Sequence, residues 1–345
     1  MSIRFAAIGA NHNHIFNQCS VLLAAGAEMV WYFDDEPGRI NQFAERYPQV
    51  PLARSIEEIL EDESLHLIAC SVIPDERAAI GIRAMQHGKD FLTSKPGFTT
   101  LEQLEAARRV QAETGKFYSV YFGERLGNPS TVKAGELVHA GFIGQVIQTT
   151  GFGPHRLLGL VDRPDWSFQS KRHGGILVDL ASHQIDQFLY FTGSTSAELV
   201  ASHIGNLKFH QFPDMEDFGD ILLRSESATG YIRVDWLTPT GLGVWGDVRL
   251  YILGTEGYIE LRKYIDIEGR PGSNHLFLVD GKTSRYIDCS DVEMPFARQF
   301  IQDILNRTET AMPGAHTFLA SELALQAQAQ AEWIKPPVMK QPASD

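Results

Sequence analysis

Residues 3–16 read IRFAAIGANHNHIF, and the reading of that stretch decides the fold. Arg4 to Gly9 is an apolar run of strand length, and a helical apolar period begins at Ile15. The order is therefore buried strand, tight turn, helix. Such a turn offers free backbone N–H groups and the positive end of a helix dipole to a phosphate. A dinucleotide-binding loop carries three glycines here, whereas this chain has Gly9, then Asn11, then His14. Asparagine is the non-glycine residue that best tolerates positive φ, so Asn11 keeps the second position usable. His14 is harder to place where a helix packs closely on a sheet. Asp34 follows the second strand candidate, 25 residues after Gly9. An acidic residue there suits the ribose hydroxyls of NAD and disfavours the extra phosphate of NADP. NADP stays open, because Arg39 or Arg77 could turn toward a 2′-phosphate.

Two other readings of this loop exist. One is a strand–helix–strand start that binds no nucleotide. The other is a metal held by His12 and His14, which fails for want of a third ligand nearby, so no metal is expected. His12 can instead face the reacting end of a bound nucleotide.

Outward from the loop, strand candidates at Glu28–Phe33, Leu67–Val72, Asp90–Thr93 and Phe117–Tyr121 alternate with helix candidates at Pro37–Tyr47, Ile56–Glu61, Asp75–His87 and Thr100–Thr114. That alternation means βαβ units and a parallel sheet. After Gly123 the pattern changes. STVKAGELVHAGFIG (130–144) reads as one helix, and β-rich stretches such as QVIQTTGFG (145–153), ATGYIRVDWLT (228–238) and DVRLYILGTEGYIEL (247–261) follow, several joined by glycine turns. The expected architecture is α/β: a nucleotide-binding domain over 1–123, a second α/β domain with a large mixed, mainly antiparallel open sheet over 124–335, and a tail over 336–345. A last helix over Ala315–Trp333 can dock on either domain.

With 345 residues, 43% apolar and 21% charged, the chain can bury a large core. A net charge of −13 argues against nucleic acid and anionic membranes as partners. Three scattered cysteines make no disulfide framework. The N-terminus reads as a strand, and no apolar run approaches a membrane span. A cytoplasmic protein is the expectation.

Two further stretches carry chemistry. TSKPGFTT (93–100) puts Lys95 at the C-terminal end of a parallel strand, where the ligand crevice of an open sheet lies. A lysine there can stabilise a developing alkoxide. GGILVDLASHQIDQFLYFTG (174–193) reads as a helix that Gly193 ends. Asp179 and His183 are i and i+4 on one face, and Asp186 is three residues further on. A histidine between carboxylates suits proton abstraction from a hydroxyl, its basicity raised by the neighbouring charge.

Together these stretches resemble the glucose–fructose oxidoreductase/inositol dehydrogenase (Gfo/Idh/MocA) family over nearly the whole chain. SKP resembles the family's Glu-Lys-Pro, with Ser94 in place of the glutamate. GGILVDLASHQID resembles its Gly-Gly…Asp…His…Asp motif. YFGERLGNPSTVKAGELVHAGFIGQV (121–146) resembles the entry to its second domain, with Arg125 at the usual arginine, and ILGTEGYIEL (252–261) its glycine turn. The resemblance implies a Rossmann domain followed by a domain whose open sheet builds a homodimer or homotetramer. It also implies hydride transfer between NAD(P) and a hydroxyl or carbonyl of a sugar, sugar acid or cyclitol. It puts Lys95, Asp179 and His183 in the catalytic set, with His183 as base. Gly9, Asn11, His12, Asp34 and Pro74 lie along the cofactor with Lys95, and Arg77 stands where a histidine is common.

On the substrate side the candidates are Arg125, Asp186, His155 and Arg156 in GPHRLLG (153–159), and Trp166 and His173 in RPDWSFQSKRHGG (163–175). Trp can stack on a sugar ring, and basic groups can hold a carboxylate. The same site admits a second net reaction, glycoside cleavage or elimination through transient oxidation. A third alternative is a non-catalytic nucleotide-binding regulator.

Overall fold

The computed structural model describes residues 2–159 and 163–335; the tail 336–345 lies outside the described residues. The first strand, β1 (Arg4–Ile8), is buried almost throughout and runs into α1 (His14–Ala24). There follow β2 (Glu28–Phe33), α2 (Pro37–Arg46), α3 (Ile56–Glu61), β3 (Leu67–Cys70), α4 (Pro74–Gln86), β4 (Asp90–Ser94), α5 (Leu101–Thr114) and β5 (Tyr118–Tyr121). The five strands are parallel in the order β2-β1-β3-β4-β5. This is a Rossmann sheet whose strand order reverses between β1 and β3, the place where such sheets bind ligands. The local signals act as their residue types dictate. Thr100 caps α5 by accepting the Gln103 N–H, and Gly115 closes that helix at φ 65°.

The second half contains α6 (Gly123–Leu126), α7 (Pro129–His139), β6 (Val146–Pro154), α8 (Ser170–His173), α9 (Ser182–Thr192), β7 (Glu198–Gly205), β8 (Phe218–Arg224), β9 (Thr229–Asp235), β10 (Arg249–Gly254), β11 (Gly257–Arg262), β12 (His275–Asp280) and β13 (Ser284–Ile287). The chain then returns through α10 (Phe296–Asn306), α11 (Gly314–Gln330) and β14 (Glu332–Trp333). Nine strands form one sheet in the order β13-β12-β11-β10-β6-β9-β8-β7-β14. Only β6–β9 and β7–β14 pair in parallel, so the sheet is mixed and mainly antiparallel.

Two local readings change. The last helix stops at Gln330, and Glu332 and Trp333 join the sheet edge beside His203 and Ile204. That helix also docks on both halves: it packs against α5 and β5 as well as α9 and β7. Phe318 stacks at 5.9 Å on Phe98, which stacks at 4.6 Å on Tyr118 behind the first sheet. Each such aromatic pair contributes about 0.5–1.5 kcal/mol beyond area burial. One hydrophobic cluster consequently runs from β1 through α9 to α11.

Candidate active site

The loop after β1 is built around Gly9, whose φ of 75° and amide bond to Phe33 O (2.9 Å) turn the chain sharply toward α1. A Cβ there would sit 2.4 Å from Val72 Cγ1, so the position admits only glycine. Asn11 turns out not to need left-handed tolerance: among the described residues the non-glycines at positive φ are Asn274 and Arg307. His14 fits because it opens α1 and lays its ring 3.9 Å from that of His12. The His12 N–H reaches Ser71 O at 3.2 Å, tying the loop to the end of β3. The glycine turn, the start of α1 and Pro74 in the first turn of α4 all stand at the switch point between β1 and β3. These residues fit a dinucleotide whose pyrophosphate lies on the start of α1. Among the described residues no group of three His, Cys, Asp or Glu side chains is arranged to hold a metal ion.

Lys95 follows β4 and is almost fully buried. Its position is fixed from behind by Arg77, fully buried, whose Nη1 donates to the carbonyls of Ser94 (3.0 Å), Lys95 (2.8 Å) and Pro96 (2.8 Å) and whose Nε donates to Val72 O (2.8 Å). Arg77 is thus committed to the backbone and cannot turn toward a 2′-phosphate. Lys95 Nζ donates to Asp179 Oδ1 at 2.9 Å, joining the first sheet to the helix of the second domain.

That helix is not one regular α-helix. Gly174 and Gly175 both stand at positive φ, and a Cβ on Gly175 would fall 2.2 Å from the Gln328 side chain. Gln328 Oε1 accepts the Leu177 N–H, so this close approach anchors the helix start. Over Leu177–Ala181 the backbone widens into a π-turn before α9 begins. Asp179 reaches Lys95, and no hydrogen bond joins it to His183 among the described residues, where the His183 Nδ1 is buried without a partner and its ring is edge-on to Phe122 at 6.3 Å. The expected carboxylate support for His183 is therefore corrected. Burial first, then the charges of Lys95 and Lys263, push His183 well below its ordinary value and keep it neutral. Burial opposes the charge of Asp179, but Lys95 and then His173 outweigh it and hold the carboxyl at about 2.

The remaining candidates divide. Asp186 is fully buried and takes both Arg125 Nε and Nη2 at 2.8 Å and His316 Nε2 at 2.8 Å. Arg125 also lies 4.8 Å over the Tyr190 ring. Both members of the pair are consumed inside the fold, so the expectation that they touch substrate gives way to a structural role. Arg156 likewise turns its guanidinium to the carbonyls of Pro239 and Thr240. His155 does border the crevice: its Nδ1 lies 2.9 Å from Gly153 O, its ring is edge-on to Trp236 and Trp245, and burial and then Lys95 push it down to about 4. Trp166 stands 6.4 Å from the His12 ring. His173 is buried with both ring nitrogens unpartnered among the described residues, close enough to Asp179 to favour its ionised form. Arg172 instead bridges to Asp75 (2.6 Å) and Glu76 (2.9 Å) on α4, clasping the two halves.

Sequence reasoning marked the loop that holds Arg163 without setting that residue apart, and it missed Lys263. Arg163 lies over the faces of Trp236 (4.2 Å) and Trp245 (5.0 Å), and its charge reaches His12. Lys263, just past β11, bonds Glu124 Oε1 at 2.7 Å, and its charge is felt by His14 and His183. Nothing local marked Lys263, the second of two basic residues ending a strand.

Residues 3–122 match the model of an oxidoreductase family with an NAD-binding Rossmann fold, and residues 131–260 match the GFO/IDH/MocA C-terminal domain. A crystal structure of a protein classed as an oxidoreductase, from Erwinia carotovora atroseptica SCRI1043, is 50% identical, covers 97% of this chain and all of its own, and superposes with a TM-score of 0.94. The scyllo-inositol 2-dehydrogenase (NAD(+)) of Bacillus subtilis (strain 168) is 24% identical over 90% of this chain and 87% of its own length. A levoglucosan dehydrogenase in complex with NADH and levoglucosan shares the fold, with a TM-score of 0.79 at 18% identity over 98% of this chain and all of that one.

Proposed function

Since the chain belongs to the GFO/IDH/MocA oxidoreductase family, we propose that it transfers a hydride between NAD(P) and a secondary hydroxyl or carbonyl of a sugar, sugar acid or cyclitol. The observation that carries this reading is the Lys95–Asp179 ion pair beside neutral His183, at the C-terminal ends of the Rossmann strands. The nicotinamide, when bound, supplies the hydride acceptor or donor. Lys95 holds the reacting oxygen and stabilises the charge that develops as its proton leaves. His183, kept neutral by burial and by Lys95 and Lys263, takes that proton. Asp179 stays ionised, fixes the Lys95 ammonium and orients substrate hydroxyls. Trp166 and the indoles beside Arg163 give the sugar ring an apolar wall, and Arg163 and Lys263 bring positive charge to the crevice of an acidic protein, which favours substrates bearing a carboxylate.

The division at about residue 123, a cytoplasmic location and a homo-oligomer belong to the same proposal. The register supports the last of these. Ile221, Ile232, Leu250, Leu261 and Leu276 are buried on one face of the nine-stranded sheet, while Leu222, Tyr231, Thr150, Tyr251, Glu260, Phe277 and Tyr286 form a row across the other, whose apolar members are half-buried or exposed. A homodimer or homotetramer closing over that row buries it. Sedimentation should show a multimer that Tyr251→Lys weakens.

The activity is tested with a panel of cyclitols, aldoses and uronic acids, each supplied with NAD+ and with NADP+. One member should yield reduced nicotinamide and carbonyl product in equal amounts. Nucleotide binding with no turnover of any member would remove the polyol class.

A further inference from the structure

We propose that Asp34 positions the cofactor loop instead of binding the cofactor's ribose, and that Arg39, seated on the same carboxylate, makes the chain take NAD and NADP with similar affinity. The proposal rests on the nicotinamide reading above.

An ionised carboxylate offers about four lone-pair sites. In Asp34 all are filled from within the chain. Oδ2 accepts the Ala10 N–H at 2.8 Å and the Tyr32 hydroxyl at 3.0 Å. Oδ1 accepts the Glu36 N–H at 3.1 Å and Arg39 Nε at 2.8 Å. The side chain is 1% exposed. An acidic residue that selects NAD does so by accepting the ribose hydroxyl protons. Here no acceptor site is left for them. The bond to Ala10 instead ties the end of β2 to the loop after β1, within two residues of both Gly9 and Asn11. Loss of that tie disturbs the loop in the same way whichever nucleotide is bound.

Discrimination then passes to Arg39. Its guanidinium is 26% exposed at the first turn of α2 and also contacts Asp35 Oδ1 at 2.8 Å, on a carboxylate that is 82% exposed. A solvent-reaching arginine held by one buried and one exposed carboxylate can exchange the exposed one for a phosphate, which presents three acceptor oxygens in the geometry a guanidinium matches. Asp35 and Glu36 oppose a 2′-phosphate by charge, and Arg39 offsets them. Arg77, the other arginine of this region, is sealed against the carbonyls of residues 94–96 and takes no part.

The test is titration of the full chain with NADH and with NADPH, followed by nicotinamide fluorescence, for wild type, Asp34→Asn and Arg39→Gln. Wild type should bind the two within about tenfold of each other, which is about 1.4 kcal/mol. Asp34→Asn should weaken both by the same factor and leave their ratio unchanged. Arg39→Gln, at a side chain 26% exposed, should weaken NADPH by about tenfold or more and free Oδ1 of Asp34, so NADH holds or tightens, with urea unfolding run alongside to show that the variant is folded. A wild-type preference for NADH that Asp34→Asn collapses would make Asp34 a ribose ligand and overturn the proposal while leaving the dehydrogenase reading standing. Unchanged NADPH affinity in Arg39→Gln would overturn the part assigned to Arg39. Failure of wild type to bind either nucleotide would remove the nicotinamide reading and the proposal with it.

Discussion

Replacing Lys95 with methionine keeps the length of the side chain and removes its charge, and the structure sets the size of the response. Asp179 sits at about 2 against an ordinary 3.8, a difference of roughly 2–2.5 kcal/mol in favour of the ionised form. Burial opposes that charge, and Lys95 is the largest group offsetting it. The Lys95 and Asp179 side chains are 6% and 19% exposed, so solvent screens the pair little. Without Lys95 burial dominates and the Asp179 carboxyl rises above its ordinary value. The sign follows from linkage. A carboxyl depressed in the folded state adds stability that is fully present above about pH 4 and is lost as pH falls through about 2. Urea unfolding at neutral pH should therefore show Lys95→Met less stable by about 2–3 kcal/mol, with the gap to wild type starting to close above about pH 4, at the raised carboxyl of the mutant, and vanishing as pH falls toward about 2. A gap under about 0.5 kcal/mol at neutral pH, typical of an exposed pair, would refute the reasoning. So would a gap that does not change with pH.

Three further outcomes follow from the same geometry. Because His183 is held well below its ordinary value by burial, Lys95 and Lys263, the rate of hydroxyl oxidation, followed as kcat/KM, should not fall through protonation of this base between pH 8 and pH 6.5; a limb near 6.5 that His183→Gln abolishes would contradict this. Arg125→Met strips a buried Asp186 of its bidentate partner, so stability should drop by about 3–5 kcal/mol with KM unchanged in the folded enzyme; a raised KM at unchanged stability would return Arg125 to the substrate. Gly9→Ala forces a side chain to φ 75° and to within 2.4 Å of Val72; isothermal titration should show weakened binding of both nucleotides, and unfolding a loss of at least about 1–3 kcal/mol.

What the sequence made legible was local or periodic. The strand–Gly9–helix opening, the Thr100 and Gly115 ends of α5, the alternating strands and the Gly174–Gly175 pair each follow from residue type and spacing. In the first sheet the strand boundaries moved by two residues at most, as at β3, where Val72 lies past the end of the strand. Partner choice was not legible. Asp186 lies three residues from His183 in the chain, yet it bonds Arg125 and His316, 61 and 130 residues away. Asp179 answers to Lys95, 84 residues distant, a partner that no local spacing announces. Asp34 could be seen as an acidic residue at the end of a strand, but not as one whose acceptor sites are all filled. Arg77 could be seen as a cation near the crevice, but not as the brace behind Lys95.

The most direct test uses whichever polyol of the panel turns over, deuterated at its reacting carbon, with the oxidised nucleotide and either wild type or His183→Gln. Deuterium should appear on the nicotinamide in a one-to-one ratio with the carbonyl product, and His183→Gln should slow this transfer by about 10²–10⁴ while still binding NADH. Product that forms without deuterium accumulating on the nicotinamide, or a His183→Gln enzyme that transfers it at the wild-type rate, would contradict the account.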